Sequence, residues 1–93
     1  MKQYIVVAYD ISDDKSRNKV CELLSAYGKR VNYSVFECFL KQSDIKRLKE
    51  IIERNIKKKE DRVLYYYLCK ACVERIERIG TPFEEEKIIT TIE

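Results

Sequence analysis

Lys29-Arg30-Val31-Asn32-Tyr33-Ser34-Val35-Phe36-Glu37-Cys38-Phe39-Leu40 is rich in strand formers, yet its alternation changes parity in the middle. Val31, Tyr33 and Val35 fall on one face at a spacing of two, whereas Phe36, Cys38 and Leu40 fall on the other. One flat strand cannot satisfy both patterns, so a bulge, bend or tight reversal near Ser34 divides the segment into two short strands.

Upstream, Tyr4-Ile5-Val6-Val7-Ala8-Tyr9 is a continuous β-branched and aromatic run, the pattern of a central strand covered on both faces. It ends in Asp10-Ile11-Ser12-Asp13-Asp14, whose Ser and Asp residues suit the cap and first turn of a helix. Val20, Leu23, Leu24 and Tyr27 then recur at helical spacing, and Gly28 is read as the stop.

Downstream, Ser43-Asp44 starts a second helix in which Ile45, Leu48, Ile51, Ile52 and Ile56 form the buried stripe. Lys57, Lys58 and Lys59 are read as its close, facing the negative end of the helix dipole. Arg62 to Leu68 is a further strand of buried type, and Cys69 to Cys72 a turn. Val73 to Gly80 suits a helical turn or a short edge strand equally well. Thr81-Pro82 breaks it, and in the acidic tail Lys87 to Ile92 is expected to add a strand or stay mobile.

The order is therefore β-α-β-β-α-β plus a short C-terminal strand, an α+β ferredoxin-like pattern with an antiparallel sheet. Residues 1–80 form the domain and 81–93 the tail. Both helices cover one face of the sheet, which leaves the other bare. Packing that face against a second copy is the simplest remedy, so a homodimer with its sheets face to face is expected. The size agrees: a chain of 93 residues makes one domain, and one this small buries only about 60 to 65% of its unfolded surface.

Composition excludes several classes. With 45% hydrophobic and 38% charged residues, two Gly and one Pro, the chain is not disordered by composition. No apolar run reaches the roughly 18 residues of a membrane span, so a soluble, cytoplasmic protein without membrane partners is expected, its four cysteines reduced. The net charge of +3 is unevenly spread, because residues 1–62 carry 15 Lys/Arg against 10 Asp/Glu and residues 63–93 carry 4 against 6. A mildly basic body suits a polyanion such as nucleic acid, and it suits an ordinary solvated surface as well.

With no His, Ser-His and Cys-His dyads are excluded within one chain. Neither glycine opens a helix, which excludes phosphate cradles of the P-loop or dinucleotide type. Carboxylate and metal chemistry remain. Asp10 ends an apolar strand, three residues before the helix cap, where open α/β sheets tend to place ligands and where a hard cation such as Mg²⁺ is held by one or two carboxylates, water and phosphate. Asp13 and Asp14 are first of all helix-start acids. Arg17, Lys19, Lys29 and Arg30 are expected to flank the same end, the arginines as phosphate forks. Tyr9, Tyr33 and Phe36 have rings able to stack on bases, although short-strand aromatics are mostly packing or dimer-interface residues, the role given to Tyr33 and Phe36. In Cys69-Lys70-Ala71-Cys72 a zinc site could be completed only by Cys21 and Cys38, on separate elements. A redox CxxC normally opens the helix after the first strand of a thioredoxin-like unit, whereas this one follows the last core strand, so it is read as a buried or incidental thiol pair.

Tyr9-Asp10-Ile11-Ser12-Asp13-Asp14-Lys15-Ser16-Arg17-Asn18-Lys19-Val20, then Tyr27-Gly28, then Asn32-Tyr33-Ser34-Val35-Phe36-Glu37, resembles the second CRISPR-associated protein family, the small endoribonucleases of spacer acquisition. The resemblance covers residues 3–80. It implies a ferredoxin-like homodimer in which two copies of Asp10 share Mg²⁺, or another divalent cation such as Mn²⁺, for hydrolysis of phosphodiesters in RNA or DNA. It further implies that Tyr9, Arg17, Arg30 and Phe36 match supporting residues, the arginines on backbone phosphate. A second implied role is a dimer that bridges the CRISPR integrase and holds protospacer duplex DNA, which needs no cleavage.

Three alternatives to the nuclease therefore stand: a non-catalytic DNA-binding scaffold of the integrase, an RNA-recognition module of the same strand order, and a toxin-like messenger-RNA nuclease on a related scaffold. The RNA-recognition reading is the weakest of these, because the strand around Phe36 lacks the glycine-bearing signature of such modules.

Overall fold

A computed structural model describes residues 1–83 of the chain. The elements run β1 (Lys2–Asp10), α1 (Asp14–Ser25), β2 (Gly28–Asn32), β3 (Val35–Lys41), α2 (Gln42–Arg54), β4 (Arg62–Leu68) and α3 (Lys70–Glu74). The four strands form one antiparallel sheet in the order β2-β3-β1-β4. This is the ferredoxin-like α+β arrangement, and the parity change near Ser34 is the β2–β3 reversal. A register shift between Arg30 and Asn32 marks a bulge there.

β1 pairs on both sides and carries the core. Its alternate residues Ile5, Val7 and Tyr9 are buried against Val20 and Leu24 of α1, Phe36 and Cys38 of β3, and Ile45, Leu48 and Ile52 of α2. Each fully buried side chain of this kind contributes about 1.5–3 kcal/mol. The first helix starts as its sequence demands: Asp13 caps it, accepting a hydrogen bond from Ser16 N at 2.9 Å.

Four expectations need correction. Gly28 does not stop α1, which ends at Ser25 with Ala26 as its cap; it opens β2, where its missing side chain lets β3 approach. Lys57 to Lys59 lie beyond α2, which ends at Arg54, so they do not close its last turn. β4 is not of buried type: Leu64, Tyr66 and Tyr67 are 42%, 51% and 48% exposed. Cys69 to Cys72 is no turn, because Cys69 caps α3 and Cys72 lies within it, both thiols exposed rather than buried. The strand expected over Lys87 to Ile92 falls outside the described residues.

The face of the sheet away from the helices presents Tyr4, Val6 and Ala8 from β1, Glu37 and Phe39 from β3, and Leu64 and Tyr66 from β4, by register and alternation. The stretch after α3 crosses part of this face. There Arg78 grips Glu37 with two nitrogens, at 2.6 and 3.1 Å, while the Tyr4 hydroxyl donates to the same carboxylate at 2.7 Å.

Candidate active site at the end of the first strand

β1 delivers Tyr9 and Asp10 to the edge of a cleft of about 420 Å³, lined also by Ile11, Arg17, Asn18, Cys21, Arg30, Tyr33 and Ser34. Alternation decides the fate of the two neighbours. Tyr9 points to the helix side and is buried, whereas Asp10 is exposed on the side of the bare sheet face. Burial, with the Cys21 thiol beside it, pushes the Tyr9 hydroxyl up to about 12, so it keeps its proton at neutral pH; it donates towards the Tyr33 carbonyl, 3.4 Å away.

Backbone carbonyls fix both arginines. Arg17 donates to Ile11 O at 3.1 Å and Ser12 O at 3.3 Å and pairs with Asp14. Arg30 donates to Tyr33 O through Nε at 3.1 Å and through Nη2 at 2.6 Å, with its guanidinium 5.9 Å from the Phe36 ring. Both arginines are thus anchored at the cleft, although Asp14 offsets part of the charge of Arg17.

Other acids nearby are engaged structurally. Asp13 caps α1, and the N–H of Ser16 holds its carboxyl below the usual range. Asp61 accepts from Lys57 N at 2.8 Å and Ser12 N at 3.4 Å. Among the described residues no three His, Cys, Asp or Glu side chains gather into a metal-binding group. The donor set therefore fits a hard cation as a half-site, with Asp10 as one carboxylate per chain and water and phosphate as the remaining ligands.

Of the residues expected at this site, Tyr9, Asp10, Arg17, Arg30 and Tyr33 come together. Tyr33 is 75% exposed at the β2–β3 turn, its ring edge-on to Phe83 at 5.3 Å, so it takes no part in the core. Phe36 is fully buried and packs in the core, stacked 6.4 Å from Tyr9. Lys19 is exposed and does not line the cleft; two residues past Arg17, it emerges from the far side of the helix. Strand register adds a residue that periodicity could not supply. Arg62 of β4 lies directly across from Asp10, on the same face.

Known proteins resemble the chain over most of its length. The profile of a family described as CRISPR associated protein Cas2 matches residues 1–76. A CRISPR-associated endoribonuclease Cas2 of Chloroflexus aurantiacus is 45% identical over 78 residues, covering 83% of this chain and 84% of the relative. Cas2 of Streptococcus pyogenes superposes with a TM-score of 0.74 at 30% identity, covering 83% of this chain and 99% of that one. A chain of a partial Cas6-RT-Cas1–Cas2 complex gives 0.71 at 34% identity, covering 90% and 99%. On this match, and on a fold that agrees with it, the chain belongs to the CRISPR-associated protein Cas2 family.

Proposed function

We propose that the chain is a CRISPR adaptation protein acting in the cytoplasm as a metal-dependent endonuclease on RNA or DNA, and that it works as a homodimer alongside the CRISPR integrase. The observation that carries this reading is Asp10: an exposed carboxylate at the end of the central strand, with Arg17, Arg30 and Arg62 around it. Endoribonuclease relatives and the Cas1–Cas2 complex support it at the level of the family.

Asp10 and its copy from a second protomer would hold Mg²⁺ or Mn²⁺ between them. When bound, such an ion acidifies its water and polarises a phosphate. Arg17 and Arg30 supply the positive charge that binds and orients the phosphate oxygens. Tyr9, locked in its protonated form, supports the Tyr33 carbonyl that holds Arg30.

The test uses highly purified protein on single-stranded RNA and duplex DNA. Asp10→Ala and EDTA are each expected to lower cleavage at least 100-fold while the circular dichroism spectrum stays unchanged. Full cleavage by the variant overturns the assignment. A second reading, the non-catalytic scaffold, is favoured by the single carboxylate per chain and the Cas1–Cas2 neighbour. It requires that Asp10→Ala preserve spacer acquisition and that Arg17→Glu with Arg30→Glu abolish it.

A further inference from the structure

We propose that Cys69 and Cys72 form a reversible dithiol–disulfide pair at the end of β4, a thiol-exchange site for small-molecule disulfides separate from the Asp10 cleft. The geometry begins with the chain's path. β4 ends at Leu68, and Cys69 has extended backbone at φ −79°, ψ 169° as the cap of α3. Cys72 is the third residue of that helix, and the hydrogen bond from Val73 N to Cys69 O, 3.0 Å, closes the turn containing both.

Residues three apart across one helical turn have Cβ atoms about 5–6 Å apart, a little wider than the roughly 3.5–4.5 Å of a bonded cystine. Closure therefore asks for a small rotation at Cys69, the residue whose backbone is outside the helix. Nothing has to be uncovered, since both thiols are free and exposed.

The two sulfurs also differ in role. The backbone N–H groups at the start of the turn and the neighbouring Cys72 thiol favour a thiolate on Cys69 and pull its pKa down, whereas the neighbouring Cys69 pushes that of Cys72 up. Cys69 is thus the attacking thiol and Cys72 the resolving one. Cys38 provides the internal contrast: it is buried in the core, and burial pushes its thiol up to about 11.

The chemistry balances without a further reagent. The Cys69 thiolate attacks one sulfur of a disulfide RSSR, whose S–S bond breaks, and RS⁻ leaves and takes up a proton from water. Cys72 gives its proton to solvent and attacks Cys69 Sγ, releasing the second RS⁻, which is protonated in turn. Two protein thiols lose two electrons, and RSSR becomes two RSH.

The test incubates the full chain with oxidised glutathione, alkylates the remaining thiols and maps them by mass spectrometry. Two of the four cysteines are expected to escape alkylation, in one peptide linking Cys69 to Cys72. Cys72→Ser is expected to trap a single glutathione adduct on Cys69. Cys69→Ser is expected to slow thiol consumption at least tenfold, with the circular dichroism spectrum of both variants unchanged. Wild-type protein that stays fully reduced in excess glutathione disulfide, or stops at mixed adducts, overturns the proposal. So does a disulfide to Cys21 or Cys38.

Discussion

A methyl group at position 28 would overlap Cys38 Sγ and the carbonyl oxygen of Glu37. In a strand of ordinary φ, Gly→Ala normally gains about 0.4–1 kcal/mol by restricting the unfolded chain. Overpacking costs about 1–3 kcal/mol, and here one of the colliding atoms is backbone, which cannot rotate aside. The collision wins, and Gly28→Ala is expected to lose about 1–2 kcal/mol. Urea unfolding checks this: the midpoint falls and the slope stays constant. Only Gly80 among the described glycines has positive φ, at 96°, so Gly28 is needed for closeness and not for a left-handed turn. A glycine after an apolar helical stripe looks the same in sequence either way. Asp10 was legible because a charge ending an apolar strand is unusual; Arg62, its cross-strand neighbour, was not, since only strand register reveals it.

Tyr4, Glu37 and Arg78 tie three elements together, β1, β3 and the stretch after α3. Burial alone would raise the Glu37 pKa, but hydrogen bonds from Arg78 and Tyr4 outweigh it and leave the carboxyl below its usual value. A group whose pKa is depressed on folding adds stability that is complete above its unfolded value and disappears as pH falls through the folded one. Arg78→Ala is therefore expected to destabilise the protein at pH 7 and to make much less difference at a pH low enough to protonate Glu37 in the folded parent. Melting curves of the two proteins across that range check it, and an equal loss at both pH values contradicts the ion-pair account. This tie was invisible in sequence because its partners lie 41 residues apart. α1 and α2 were legible because 12 and 13 residues show a helical period, and β1 because its β-branched and aromatic residues run without a break. The five residues of α3 are too few to show one.

Over the whole molecule, the unequal faces of the sheet have the largest consequence. The helices bury the centre of one face, while Phe39, Leu64 and Tyr66 on the other stay 58%, 42% and 51% exposed. So much clustered apolar surface on so small a domain favours association, and one carboxylate per chain at the cleft gives association a chemical purpose. If two copies meet across this face, Tyr66 lies at the centre of the contact, and Tyr66→Lys puts two unpaired ammonium groups into a desolvated interface. Because Tyr66 belongs to no core contact, the fold is expected to survive. Sedimentation equilibrium is then expected to give twice the 11.2 kDa chain mass for the parent and close to 11.2 kDa for the variant. Cleavage should fall along with dimer content and recover at protein concentrations that restore it, since each monomer keeps an intact Asp10. A variant that stays dimeric places the contact elsewhere, and a monomeric variant that still cleaves at the parent rate removes the need for two copies of Asp10 at one cation.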